Sequence, residues 1–322
     1  PQKPGGGTSV WASIVAKEIS KHLGEDITLV HIPGGNDIPG FNKWHNDLRF
    51  DDSTVMVSHG GNGESFLVDD VDYDYFQYDP IAMSNLTIVS AHRADNDLTG
   101  KMIFAAGSGT DPDSMAQLLM LHGPGLTNEG AKKFFDERFK YIRGMSGGER
   151  RLAYQRGELN VTRESPAAYN KHLAGKDFST LWFSHGVYNL ETGKVEGDRN
   201  FPGKSFAEVY EATWSEAPSG EFYDSYILLR NFRDVMQKAL WVNKGNPNTE
   251  RLRAAVRAMV QDEESMAAIV SKAGDYDFII GEDMVAALNT IKSTIKKDTL
   301  VNLVDFLQYT GKPAVLKMDL ID

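Results

Sequence analysis

Three glycine turns, each running straight into an amphipathic helix pattern, are the segments of this chain best suited to chemistry. The first is Pro4-Gly5-Gly6-Gly7-Thr8-Ser9, the second Ala105-Ala106-Gly107-Ser108-Gly109-Thr110-Asp111, and the third Met145-Ser146-Gly147-Gly148. Glycine lets the backbone turn tightly and approach a ligand closely. The helix that follows points its first unpaired N–H groups, with a partial positive charge, at whatever occupies the turn. A fourth glycine segment, His59-Gly60-Gly61-Asn62, follows a short apolar run, and His59 serves there either as a plain hydrogen-bonding group or as a ligand contact. Arg163 and Glu164 follow a short strand pattern at 159–162, and ligands of open α/β sheets sit just beyond strand C-termini. The chemistry these residues suggest is capture of a small polar or anionic molecule.

Other chemistries lack their residues. No turn ends in the Gly-Lys-Ser/Thr of a phosphate loop, and none carries the dinucleotide fingerprint with its acidic residue. Gly-x-Ser-x-Gly is absent, so a serine hydrolase elbow is not supported. The acidic run Asp69-Asp70-Val71-Asp72-Tyr73-Asp74 lacks the sixth-position glycine and closing glutamate of a calcium loop, and reads as a solvated turn. The eight histidines form no paired metal motif, and there are no cysteines, which removes disulfides, thiolate catalysis and cysteine-ligated zinc. We therefore expect no cofactor, no metal and no catalytic residue.

The elements that position these turns alternate between strand and helix patterns. Residues 9–23 carry a 3.6-residue apolar stripe of Val10, Trp11, Ile14, Val15, Ile19 and Leu23, with Thr8 or Ser9 as cap and Gly24 as stop. Strands are expected at 27–32, 54–58, 86–91, 102–106, 139–142, 159–162 and 226–229. Helices are expected at 114–121 with Asp113 as cap, 149–155, from Pro166, at 206–212, 235–242, 249–273 and 302–307. This alternation argues an α/β layered sandwich. The length of 322 residues favours two domains, and no apolar run approaches a membrane span. The net charge of −11, with no basic stripe, argues against nucleic acid, and it requires any anion site to be made by local groups. A strand should feed the turn at Pro4, so we expect the natural chain to start upstream of Pro1.

Taken in order, these segments resemble the periplasmic solute-binding proteins of tripartite tricarboxylate transporters. The family's strand-fed Pro-Gly-Gly-Gly-Thr turn is matched by Pro4 to Thr8, and its Pro-Gly-rich loop by Ile32 to Gly40. Its Ser-Gly loop is matched by Ala105 to Ser114, and its Gly-Gly turn, helix, Gly and strand by Arg143 to Gly148, the helix to Gln155, Gly157 and Leu159-Asn160. Its late Pro-Thr-Leu-Ala-Glu element appears as Pro202 to Glu208. The resemblance implies a two-lobed flytrap of α/β lobes, each a mixed sheet flanked by helices, with 1–99 and 222–301 in lobe 1 and 100–221 and 302–322 in lobe 2. It implies a periplasmic, monomeric receptor, its signal peptide and first strand lying upstream, that passes a small carboxylate to membrane permease subunits. Carried over by residue, the contacts are Gly7, Thr8 and Ser9 with His59 and Asn62, and Ser108, Gly109, Thr110 and Asp111 with Arg163 and Glu164.

The departures bear on the ligand. Asp111 and Asp113 stand where the family favours small hydroxyl residues; carboxylates there oppose an anion and favour hydroxyls or a cation. Arg163 either clamps a ligand carboxylate through two parallel bonds or pairs with Glu164 or Glu158. A neutral polyhydroxy ligand or sugar is the first alternative. An enzyme using Asp111, Asp113 or Glu164, and a sensor domain feeding a signalling partner, are further ones.

Overall fold

A computed structural model describes residues 7–33, 38–63, 67, 71–106, 112–189, 192, 194–235 and 237–317. Its contacts fall into two compact units, Pro1–Leu86 with Phe232–Ser293, and Thr87–Asn231 with Thr294–Asp322. The first unit opens with α1 (Gly7–Leu23), α2 (Ile38–Lys43) leading into a π-helical turn (Trp44–Leu48), β1 (Met56–Val57), the four-residue α3 (Gly60–Gly63) and β2 (Tyr78–Ser84). The second contributes β3 (Val89–Arg93), β4 (Met102–Ala106), α4 (Pro112–His122), α5 (Asn128–Arg138), β5 (Phe139–Arg143) and α6 (Gly147–Gln155). It continues with β6 (Val161–Glu164), α7 (Pro166–His172), β7 (Ser179–Ser184), the hairpin β8 (Val187–Asn189) and β9 (Lys194–Glu196), α8 (Phe206–Trp214) and most of α9 (Glu221–Val235). The first unit resumes with β10 (Ala239–Asn243), α10 (Thr249–Gln261), α11 (Glu263–Ala273), β11 (Phe278–Ile280) and α12 (Glu282–Thr294), after which α13 (Lys297–Tyr309) belongs to the second.

In the first unit the sheet runs β1-β10-β2-β11, each neighbour antiparallel. The apolar stripe of α1 packs its Trp11, Val15 and Ile19 against Ile81 and Leu240 of the sheet and Val256, Met259 and Ile269 of α10 and α11. Each such side chain, once buried, contributes about 1.5–3 kcal/mol. Glu18 sits on the same helix yet is only 1% exposed, held by Lys21 Nζ at 2.5 Å and by Ser265 Oγ, which donates at 3.0 Å. Burial works against its charge, but the hydrogen bonds from Lys21 and Ser265 outweigh it, and the carboxyl titrates below its ordinary range.

The second unit has a three-stranded antiparallel sheet β6-β3-β7 and a parallel pair β4-β5. Its core gathers Val89, Ala91, Ala105, Tyr154, Leu159 and Leu173. Two serine caps fix helix starts here. Ser146 and Glu149 form a reciprocal capping box on α6, and Ser165 caps α7 with Pro166 at the first position.

Several expected elements differ. Residues 226–229 lie inside α9, where Phe222, Tyr226 and Leu229 recur at helical spacing and are buried. Conversely 239–243 form the strand β10, an apolar run buried from Ala239 to Val242 as a central strand requires. The long helix expected over 249–273 breaks at Asp262, whose carboxylate accepts from Glu264 N and starts α11 afresh. Residues 27–32 pair with no described strand. The terminal helix is longer, Lys297–Tyr309 in place of 302–307. The strand at Val89–Arg93, counted above with lobe 1 up to residue 99, pairs with β6 and β7 of the second unit, and 222–231 also belong there.

Candidate ligand-binding site

Of the carried-over residues, Gly7, Thr8, Ser9, His59 and Asn62 fall in the first unit. Thr8 and Ser9 are not caps: α1 begins at Gly7, so both lie in its first turn, where the N–H groups have no partner within the helix. A Cβ built on Gly7 meets nothing within 4 Å, so this position has room for a side chain. Lys238 Nζ donates to Thr8 Oγ1 at 2.9 Å, adding an ammonium to the positive end of a 17-residue helix. The next residue back, Gln237, accepts from Gly60 N through Oε1 at 2.5 Å. Gln237 and Lys238 thus tie the His59-Gly60 loop to the head of α1. Gly60 is required there, because a Cβ would come within 2.7 Å of Arg233 Cγ and 3.0 Å of its carbonyl oxygen. His59 Nδ1 accepts from Gly61 N at 3.0 Å, which is the local hydrogen-bonding role weighed above. Asn62 lies on the short α3; its side chain is outside the described residues.

No local pattern singles out Gln237 or Lys238. Lys238 does have one structural mark, a φ of 49°, in the left-handed region that a non-glycine residue enters only at a cost.

In the second unit, Ser108, Gly109, Thr110 and Asp111 lie outside the described residues. Asp113 does not cap α4 but is its second residue, 1% exposed. Its Oδ2 stands 3.2 Å from Arg163 Nε and its Oδ1 3.0 Å from His185 Nε2. His185 Nδ1 lies 2.9 Å from the Tyr226 hydroxyl. With its proton on Nε2, His185 turns that N–H toward the Asp113 carboxylate and accepts from Tyr226 at Nδ1. Arg230 donates through Nη2 to the Gly186 carbonyl at 2.9 Å, fixing the residue after His185. The carboxylate therefore stands beside the arginine and balances its charge. Arg163 pairs with neither Glu164 nor Glu158, the two partners considered from sequence.

Arg163 and Glu164 lie within β6, not beyond its end. Their side chains leave opposite faces of the strand. Arg163 keeps 18% of its side chain exposed. Glu164 is buried and gripped by Arg151, whose Nε and Nη2 reach its two oxygens at 3.1 and 2.7 Å. That paired grip fastens α6 to β6. Arg156 takes Glu158 in the same two-bond fashion at the surface. Among the described residues no group of three or more histidine or acidic side chains is arranged to hold a metal ion, and no helix is long and apolar enough to cross a membrane.

No protein-family model and no curated protein matches the sequence. Solved structures do. A Rhodopseudomonas palustris protein with adipate is 12% identical, with 98% of this chain and 96% of that chain covered at a TM-score of 0.60. The periplasmic binding protein BugD is 10% identical, over 97% of this chain and 95% of its own, at 0.59. MatC from the same Rhodopseudomonas species, with bound malate, is 12% identical over 97% of both chains at 0.53. At such identities the likeness is one of architecture: this chain has the α/β fold of the periplasmic solute-binding proteins of the Bug and MatC type.

Proposed function

We propose that the protein is an extracytoplasmic receptor for a small organic acid, which it delivers to a membrane transporter of the tripartite tricarboxylate kind. The observation that carries this reading is the head of α1, where the positive end of a 17-residue helix and the Lys238 ammonium come together at Thr8. A carboxylate placed there meets the favourable end of the helix dipole and a cation together. Arg163, with its charge balanced by Asp113 and part of its side chain exposed, is the second-unit group we assign to the ligand. The fold supports the reading, since MatC and the Rhodopseudomonas protein of the same architecture carry malate and adipate. An enzyme that uses Asp113 or Glu164 as acid or base is disfavoured, because the first is engaged by Arg163 and His185 and the second by Arg151.

Hydrogen bonds to a charged group contribute about 1.5–3 kcal/mol each, so four or five reach the roughly −8 kcal/mol of a micromolar complex after the cost of immobilisation. A thermal-shift panel of malate, adipate, citrate and neutral sugars tests the class. Ligand at a hundred times its Kd stabilises by about 2.7 kcal/mol, which the acids are expected to show. Shifts from sugars alone would overturn the reading.

A further inference from the structure

The second unit buries a titratable group that the proposed ligand contact does not itself use. His185 stands in the turn between β7 and β8 and is 4% exposed. Its ring has a neighbour at each nitrogen. Nε2 lies 3.0 Å from Asp113 Oδ1, and Nδ1 lies 2.9 Å from the hydroxyl of Tyr226, itself buried on α9. The other oxygen of Asp113 stands 3.2 Å from Arg163 Nε. One carboxylate thus lies between a permanent cation and a group that becomes a cation by taking up a proton. Further charges come from neighbouring elements. Arg230 of α9 donates to the Gly186 carbonyl, and Ser184 donates to the buried Asp198 ahead of α8 at 2.9 Å. α9 also places Tyr223 beside Tyr226, while α8 brings the Phe206 ring and turns Glu208 back to its own cap at Ser205. With His185 neutral, the carboxylates of Asp113 and Asp198 stand against the guanidiniums of Arg163 and Arg230.

An acid bound at Arg163 upsets this balance. Its carboxylate neutralises the guanidinium, and the buried charge of Asp113 then has to be met from its other side, where His185 stands. A buried charge that loses its counter-charge is costly, and protonation of His185 restores the match. We infer that His185 is a proton-binding site coupled to the ligand site, so that the protein takes up a proton from solvent as it captures an acid; this rests on Arg163 being a ligand group. Tyr226 suits both states of the ring. Its hydroxyl donates to a neutral Nδ1 and, turned about its C–O bond, accepts from a protonated one. Coupling of this kind is reciprocal, so the acid binds more tightly at low pH by the factor by which it tightens the proton.

The test is calorimetry of malate binding in two buffers of different ionisation heat. The difference in heat is expected to show proton uptake, and the Kd to be about tenfold tighter at pH 6 than at pH 8. His185→Gln, which cannot be protonated, is expected to take up no proton whatever its affinity. Equal heats in the two buffers, or the same uptake in His185→Gln, overturns the inference. The two-buffer comparison on the unaltered protein stands even if the variant does not fold. A second measurement needs no acid. Arg163→Gln removes the cation that a bound carboxylate would neutralise, so the His185 ring resonance is expected to titrate about one pH unit higher than in the unaltered protein. An equal or lower midpoint overturns the coupling. Malate failing to bind at any pH counts against the receptor reading for that acid, and the Arg163→Gln comparison then decides the proton site alone.

Discussion

Replacing Asp113 with Asn separates a charge that holds the protein together from the Arg163 charge we propose for the ligand. The carboxylate is 1% exposed and touches Arg163 and His185 at 3.2 and 3.0 Å. Removing one partner of a buried ion pair costs about 3–5 kcal/mol. Two features reduce that figure here. Asn keeps the shape and an oxygen facing His185 Nε2, and Arg163 has 18% of its side chain in water. We therefore expect a loss of about 2–3 kcal/mol, which at about 2–4 °C per kcal/mol lowers the Tm of a unit this size by about 4–12 °C. Thermal unfolding followed by circular dichroism reads the stability, and calorimetry with whichever acid of the panel binds reads the affinity. Affinity is expected to hold or to tighten, because Arg163 no longer shares its charge. An unchanged Tm refutes the energetic argument. An unchanged Tm with binding abolished goes further and makes Asp113 itself a ligand group.

Two other outcomes follow from contacts in the first unit. Lys238→Gly relieves a left-handed backbone, a gain of about 1 kcal/mol that offsets the lost bond to Thr8, so stability stays within about 1 kcal/mol while acid binding weakens about 10- to 100-fold; a calorimetric affinity equal to wild type would remove Lys238 from the site. Glu18→Gln costs about 1.5–3 kcal/mol at neutral pH. Because the folded carboxyl titrates below its ordinary 4.5, that stability is present above about pH 4.5 and is lost as pH falls through the depressed value. Urea midpoints of the two proteins should therefore draw together as pH falls below about 4.5, and a constant gap would mean that the charge contributes nothing.

Where a rule is local, the sequence is a sufficient guide. The stripe of α1 and the strand at Met102–Ala106 each depend on residues within a turn or two of one another. Where tertiary context decides, local preference misleads. Tyr226 to Leu229 favours a strand by composition, yet its spacing to Phe222 and Phe232 buries it as helix. The same limit governs the site. Gly7 and Thr8 announce a helix head, but the cation beside them comes from a lysine in no motif. Asp113 reads as a charge hostile to an anion until Arg163, 50 residues on, is found against it.

The bond from Lys238 to Thr8 joins positions 230 residues apart, and this has a consequence for the order in which the protein becomes functional. Synthesis proceeds from the N-terminus, so the head of α1 appears first and waits for its cation until nearly three-quarters of the chain has followed. Because β10 also lies between β1 and β2, the sheet beneath α1 closes only at that same stage. A nascent chain therefore has the first glycine turn before the lysine that stands beside it, and the proposed anion site assembles only late in synthesis.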